Sequence, residues 1–160
     1  MAKRWAGAGA VEAGRGAHFA GGKDAVYPGG NCGDDLIPCT EGAFELSGGT
    51  GKTAAIMPSY IIATGQDQEN GEDVGIAFNR YLMTTLLREK YGYDEMVCTD
   101  WGLTDPLGPM NLMIGGKCWG VEDMSPEARC LTILVAGNDQ FGGLSDIDRL
   151  KTAAQLGVDK

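Results

Sequence analysis

Short apolar runs mark two buried strands in the middle of the chain. The run AAIM, at positions 54–57, is closed by Pro58, as expected of a buried strand that ends in a turn. A second run, Met96 to Cys98, leads directly into Asp100. The pattern therefore predicts two strands, the second of which delivers a carboxylate at its carboxyl end.

Between these strands the spacing of apolar residues changes to that of a helix. Phe78, Leu82 and Leu86 lie four residues apart, which places them on one face of a helix from about Gly75 to Lys90. Gly92 is expected to end this helix, because a glycine commonly lies just past a helix C-terminus.

Two further helices are predicted towards the end of the chain. Ser125, Pro126 and Glu127 supply an N-cap, a proline at the first helical position and an acid in the first turn. This helix should end at Gly137, and the short segment NDQFGG should lead to a last helix from about Ser145 to Leu156. Strands that alternate with helices are typical of a parallel α/β architecture.

The first fifty residues predict long loops around few regular elements. The chain contains 26 glycines, about twice the usual frequency, and loops of this kind commonly form a binding face. The segment GGTGKT resembles a phosphate-binding loop, but Leu46 stands where that motif requires its first glycine. Only four residues separate Thr53 from Pro58, too few for the helix that should follow. A glycine turn before a strand is the favoured interpretation.

Charge excludes several classes of partner. The net charge of −9 repels phosphate backbones and anionic lipid, so neither nucleic acid nor a membrane is an expected partner. No apolar run approaches the length of a membrane helix. The first residues show no signal-peptide pattern, and the sequence leaves a cytoplasmic and a periplasmic location open.

The five cysteines indicate neither a metal site nor a disulfide framework. They are scattered, with no CxxC pair, and the chain contains one histidine, so the ligand cluster of a structural zinc site is missing. Their odd number argues against a set of disulfides. Small buried thiols are the expected role, and no metal or other cofactor is predicted.

Asp100 is the strongest candidate for chemistry. A carboxylate at the end of a strand in a parallel sheet lies where barrel enzymes place catalytic side chains. Trp101 beside it supplies a flat apolar wall that suits a sugar ring. From position alone, the alternative that Asp100 caps the next turn and Trp101 fills the core is somewhat favoured, because acids commonly end strands.

The stretch LLREKYGYDEMVCTDWG resembles the nucleophile segment of family 3 glycoside hydrolases, the bacterial β-glucosidases in particular. The segments VYPGGN, EGAF, AAIMPSY, EDVGIAFN, CWGVEDMSPEAR and AGNDQFGG follow in the order and spacing of that family. The resemblance implies an α/β fold, the later part of a TIM-type (β/α)8 barrel with long glycine-rich loops. Residues 1–160 would then form a single fragment of the barrel domain, with no second domain.

The resemblance also implies roles for individual residues. Asp100 matches the catalytic nucleophile, Trp101 the neighbouring pocket wall, and Tyr60 a tyrosine close to the nucleophile. Lys3 matches a lysine that hydrogen-bonds sugar hydroxyls in a K-H-F/W-P-G segment. Here that segment reads KRWAG, so Arg4 replaces a histidine, and a permanently charged guanidinium does not substitute for imidazole.

The implied reaction is the retaining hydrolysis of a β-linked glucoside, xyloside or short oligosaccharide. It needs two carboxyl groups, of which one attacks the sugar and the other acts as acid and base. The first role is given to Asp100, whereas Glu69, Glu72 and Asp105 are candidates for the second that are better explained as solvated loop acids. A related branch, the β-N-acetylglucosaminidases, uses an Asp–His pair where this chain has residues 14–16, Gly-Arg-Gly, and is disfavoured.

The family's acid glutamate and its earlier barrel strands have no counterpart here. We therefore expect weak or absent activity of the chain alone, and either self-association or dependence on the missing barrel and acid/base domains. The alternative function is a non-catalytic carbohydrate-binding or scaffold remnant that keeps the pocket wall.

Overall fold

The computed structural model describes residues 1–108 and 115–159 and is built around two small parallel sheets. The first contains strands β1 (Ala2–Trp5), β3 (Ala55–Pro58) and β5 (Met96–Val97) in the order β1-β3-β5, and the second pairs β2 (Asp24–Ala25) with β4 (Ile62–Ala63). All of these pairings are parallel. Both predicted strands are confirmed, and so is the α/β class.

The first sheet is held by apolar residues that are completely buried. Ile56 pairs with Val97, and neither side chain is exposed to solvent. The ladder continues one residue beyond β5, because the amide of Cys98 donates to the carbonyl of Ile56 over 3.0 Å. This pairing fixes the direction in which the chain leaves the sheet towards Asp100.

The segment NDQFGG extends the sheet on the far side of β5. The amide of Gln140 donates to the carbonyl of Val97 over 3.1 Å, and the carbonyl of Gln140 accepts from the amide of Thr99 over 2.9 Å. Cys98 and Gln140 thereby form a parallel bridge. The carboxyl end of β5 is thus held from both sides.

The helix predicted from Gly75 to Lys90 is in fact two pieces, so its predicted start is wrong. A single helical turn covers Ile76–Phe78, and a π-helix covers Tyr81–Lys90. Asn79 separates them in an extended conformation, with ψ at 109°. Its side-chain oxygen accepts from the amide of Leu82 over 2.8 Å, an N-cap interaction that begins the second helix.

Three α-helices are present among the described residues: α1 (Cys32–Ile37), α2 (Pro126–Ala136) and α3 (Ile147–Val158). The limits of α2 agree with the sequence prediction. Ser125 caps its first turn through the amide of Ala128, and Gly137 follows it with φ at 112°. The last helix begins two residues later than predicted, because Asp146 rather than Ser145 is its cap.

The first fifty residues contain more structure than the predicted loops, since β1 lies within them. Trp5 ends this strand and is fully buried, and its indole N–H donates to the carbonyl of Leu82 over 3.0 Å. The rings of Phe44 and Tyr91 pack within 6 Å of it. The core therefore begins at the first strand of the chain.

Residues 48–51 form an exposed turn that leads into β3, and Lys52 beside them is half-buried. Lys52 contacts the carbonyl of Gly92 and the carboxylate of Asp94 rather than a cradle of backbone amides. The prediction of a glycine turn before a strand is confirmed, and a phosphate-binding loop is excluded because a strand follows where a helix is required.

All five cysteines are free thiols, and four of them are buried. The prediction of buried thiols is confirmed for these four, whereas Cys32 is only half-buried. Within residues 1–108 and 115–159, no helix has the length and apolar character needed to cross a bilayer.

Candidate active site

Asp100 lies just beyond the carboxyl end of β5 and is 6% exposed. Its Oδ1 accepts a hydrogen bond from the amide of Trp101 over 2.9 Å. Its Oδ2 is buried and accepts no hydrogen bond from the described residues, although the guanidinium of Arg4 lies 3.6 Å away and the hydroxyl of Tyr60 lies near enough to the carboxylate for Asp100 to raise the pKa of that hydroxyl. One oxygen of the carboxylate is thus fixed by the backbone, and the other accepts no hydrogen bond from this part of the chain.

Tyr60 lies two residues beyond β3, and its hydroxyl is held against Trp101. The hydroxyl donates to the carbonyl of Trp101 over 2.8 Å and accepts from the amide of Trp101 over 3.1 Å. Burial, followed by the neighbouring Asp100, raises the pKa of Tyr60 well above its ordinary value. Tyr60 therefore keeps its proton at neutral pH and remains a hydrogen-bond donor beside the carboxylate.

Arg4 joins three residues of the site, which sequence reasoning did not foresee. Its Nη2 lies 3.6 Å from Asp100 Oδ2 and 3.5 Å from His18 Nε2, and its guanidinium stacks over the ring of Tyr60 at 5.5 Å. The sequence showed Arg4 only as a departure from a histidine. The contact depends on the parallel pairing of β1, β3 and β5, which brings residues from distant parts of the chain together.

His18 packs edge-on against Tyr60, with 5.3 Å between the ring centroids. Burial lowers the pKa of His18, and the positive charge of Arg4 lowers it further, while the negative charge of Asp100 opposes both. The imidazole is consequently neutral at pH 7. This edge-on packing supports a structural role for His18.

Lys3 and Trp101 lie on the exposed side of the site. The ammonium of Lys3 lies 5.9 Å from the centroid of the Trp101 ring, within range of a cation–π interaction. Trp101 is 53% exposed, which excludes the alternative that it fills the core. An exposed indole with a cation beside it forms a surface on which a polar ring can stack.

The two glycines of the NDQFGG segment pack directly against the indole ring of Trp101. A Cβ on Gly143 would lie within 2 Å of the indole ring, and Gly143 has a φ of 68°. The amide of Gly142 donates to Thr99 Oγ1 over 2.9 Å, which ties this segment to the strand end. The doubled glycine is the sequence signal that could have indicated a close approach of backbone to the site.

The described residues do not bring a second carboxyl group into contact with Asp100. Glu69, Glu72 and Asp105 are all exposed, and Asp105 forms an ion pair with Arg149 over 2.9 Å. An open cavity of about 490 Å³ begins beside Lys3 and Arg4 and extends towards Asp34, but Asp100 does not line it. The site therefore combines a buried carboxylate with an exposed indole beside it.

Comparisons with known proteins give relatives with named activities. No family model matches the chain. The chain is 41% identical over 143 residues to "Beta-glucosidase C" of Emericella nidulans, covering 89% of this chain and 22% of that protein. It is 36% identical to the "Periplasmic beta-glucosidase/beta-xylosidase" of Dickeya chrysanthemi, covering 98% of this chain and 25% of that protein. The chain thus spans about a quarter or less of the length of these relatives.

A solved structure supports the fold. The chain superposes with a TM-score of 0.60 and 18% identity on the structure of a fungal multi-domain GH3 beta-N-acetylglucosaminidase, covering 98% of this chain and 16% of that one. At this identity the likeness concerns the fold alone.

Proposed function

The chain belongs to the family of the β-glucosidases that it matches, glycoside hydrolase family 3, and from this premise we propose that it carries the nucleophile of a retaining glycosidase. In this proposal Asp100 attacks the anomeric carbon of a β-linked sugar and forms a covalent glycosyl-enzyme. A carboxylic acid supplied by another part of the enzyme protonates the departing oxygen. The chain alone is then weakly active or inactive.

The state of the Asp100 carboxylate is the observation that carries the proposal. The Trp101 amide holds Oδ1, and Oδ2 is buried with no hydrogen-bond donor among the described residues. A carboxylate that only caps a turn has no need of a second oxygen that is buried without a donor. An oxygen without a donor keeps a lone pair for attack, and because Oδ2 is buried here, the sugar must first displace the side chains that cover it.

The fold supports the further proposal that residues 1–160 form part of a (β/α)8 barrel. The first sheet and its extension follow chain order and run parallel, as consecutive barrel strands do: β1, β3, β5 and then the NDQFGG segment. Tyr60 and Asp100 both follow the carboxyl ends of their strands. In a barrel this end is the face on which active sites are built.

The substrate that we propose is a β-linked glucoside or a closely related sugar such as a xyloside. Trp101 would stack on the ring, Lys3 would hydrogen-bond its hydroxyls, and Tyr60 would stay protonated beside the nucleophile. The names of the relatives, a β-glucosidase and a β-glucosidase/β-xylosidase, support both sugars. No cofactor enters this reaction.

The test is covalent labelling followed by intact-mass measurement. The chain is incubated with 2,4-dinitrophenyl 2-deoxy-2-fluoro-β-glucoside, whose leaving group departs without acid assistance, so the absent acid does not prevent the step. We expect one sugar adduct per chain, absent in Asp100→Asn and retained in Asp148→Asn, which changes an exposed aspartate of α3. Absence of the adduct from a chain that circular dichroism shows to be folded contradicts the proposal.

A second candidate function is carbohydrate binding without catalysis, favoured by the exposure of Trp101. A half-exposed indole beside Lys3 can hold a sugar whether or not Asp100 reacts. Quenching of tryptophan fluorescence by cellobiose, lost in Trp101→Ala, together with absence of the covalent adduct, would establish this function instead.

A further inference from the structure

We propose that Arg4 acts through Asp100 to shorten the lifetime of the covalent sugar–Asp100 intermediate. This inference rests on the proposed function of Asp100. It adds a residue that sets the rate at which the sugar–Asp100 ester forms relative to the rate at which it breaks down. Arg4 itself has no role in bond making.

The geometry places Arg4 beside the carboxylate oxygen that the backbone does not engage. Since Oδ1 accepts a hydrogen bond from the amide of Trp101 and Oδ2 accepts none from the described residues, we assign the attack to Oδ2. Arg4 Nη2 lies 3.6 Å from Oδ2, close enough for a strong electrostatic interaction but beyond an ordinary hydrogen bond. The guanidinium therefore stabilises negative charge on Oδ2 while its lone pair stays free.

The two steps of the reaction change this charge in opposite directions. In the first, a lone pair of Oδ2 forms the bond to the anomeric carbon, and the bond from that carbon to the leaving group breaks with its electron pair. The carboxylate becomes a neutral ester. In the second, a water oxygen bonds to the anomeric carbon, the carbon–Oδ2 bond returns its electron pair to the carboxylate, and the proton of water passes to solvent.

Arg4 keeps its charge throughout, because a guanidinium does not lose its proton in proteins. Its side chain is only 23% exposed, so solvent screens it incompletely. When Asp100 is esterified, the guanidinium of Arg4 has no carboxylate beside it. Breakdown of the ester restores the negative charge of Asp100. Arg4 should therefore slow the attack of Asp100 and speed its release from the sugar.

The surroundings of Arg4 do not cancel this effect. His18, 3.5 Å away, is held neutral by burial and by Arg4 itself. Tyr60 offers only its ring face to the guanidinium. Lys3 lies on the same side and adds positive charge rather than removing it.

The experiment measures formation and decay of the 2-fluoroglucosyl adduct by intact mass in the wild-type chain, Arg4→Met and Arg4→Lys. For Arg4→Met we expect formation to be roughly fivefold faster and decay roughly fivefold slower, the size of a partly screened ion pair. Arg4→Lys keeps the charge and should stay close to wild type. Arg80→Met, which removes an exposed arginine elsewhere, should change neither rate.

Opposite changes in the two rates distinguish this role from a structural one, because a distorted site slows both. An adduct that forms and decays in Arg4→Met as in the wild-type chain overturns the inference and leaves the proposed function intact. Absence of the adduct from the folded wild-type chain overturns both. If Arg4→Met does not fold, Arg4→Gln removes the same charge with a smaller polar side chain, and the same two outcomes apply.

Discussion

At the scale of single residues, His18 reports on the charges around Asp100, because it is the chain's one histidine and gives an isolated NMR signal. Burial and Arg4 lower its pKa, and Asp100 partly offsets them. We predict that His18 titrates below the ordinary value of about 6.5. Arg4→Met should move the titration up, and Asp100→Asn should move it further down, both measured from the imidazole proton shift against pH.

The sign of the effect on stability follows from the same titration. Because folding lowers the pKa of His18, the unfolded chain binds this proton more readily. His18 therefore leaves the unfolding free energy unchanged above the unfolded pKa and reduces it as the pH falls below that value. His18→Gln should remove this component from urea unfolding curves recorded across that pH range. A His18 titration that is insensitive to Arg4→Met would contradict the cluster described above.

Gly143 provides a second test at the residue scale, since it has no room for a side chain. Its φ of 68° disfavours any Cβ, and that Cβ would overlap the ring of Trp101. We predict that Gly143→Ala displaces the indole, increases quenching of tryptophan fluorescence by acrylamide and costs about 1–2 kcal/mol of stability. The change would be assigned to Trp101, because Trp5 and Trp119 are buried.

Gly49→Ala is the matched control for this substitution. A Cβ added to Gly49 would meet no described heavy atom within 4 Å, and the φ of Gly49 lies outside the left-handed region. Alanine there should leave both quenching and stability unchanged. Equal quenching in the two variants would show that the position of the Trp101 indole does not depend on Gly143.

At the scale of elements, the start of the helix Tyr81–Lys90 depends on Asn79. Its side-chain oxygen caps the amide of Leu82, and its side-chain amide donates to Asp67 over 3.0 Å. The same side-chain amide also donates to the carbonyl of Glu72 over 3.2 Å. Asn79→Ala removes all three bonds in a buried place, so we predict a loss of about 2 kcal/mol in the free energy of urea unfolding. Asn70→Ala is the control, because Asn70 is exposed and contacts Asp67 through its backbone amide.

The elements that the sequence predicted well carry their signals locally. The second strand, for example, has an apolar run, and α2 has its serine cap, its proline and its closing glycine within the segment itself. Strand β1 carries no such pattern, since it has polar side chains at Lys3 and Arg4. It becomes a strand through its pairing with β3, which a local pattern cannot reveal.

The candidate site likewise contains residues that a local sequence pattern indicates and contacts that depend on strand pairing. Asp100 and Trp101 were predictable, because an acid and an aromatic follow a strand directly and a family resemblance covers them. The pairing of Arg4 with Asp100 was not, because it requires β1 and β5 to lie on either side of β3. Tyr60 was found through the resemblance, whereas its bonds to the backbone of Trp101 depend on the same sheet order.

At the scale of the whole molecule, apolar surface and net charge oppose each other. An open groove of about 540 Å³ between α2 and α3 is lined mostly by apolar residues, including Met124, Leu131 and Val135. Strand β1 also lies at an edge of the three-stranded sheet. Both features favour association, as proposed for part of a barrel, while the charge of −9 repels a second copy.

The salt concentration should therefore determine whether association through apolar surface outweighs repulsion by net charge. We predict that the sedimentation coefficient of the chain at micromolar concentration rises when sodium chloride is increased from about 0.01 M to about 0.15 M, because screening shortens the reach of the repulsion while apolar burial persists. Val135→Lys places a charge in the groove and should reduce association at both salt concentrations. Val26→Lys, which adds the same charge at an exposed valine outside the groove, should reduce it far less. Equal effects of the two variants would assign association to net charge alone, and a coefficient independent of salt and concentration would show that neither the groove nor the edge of β1 holds two copies together.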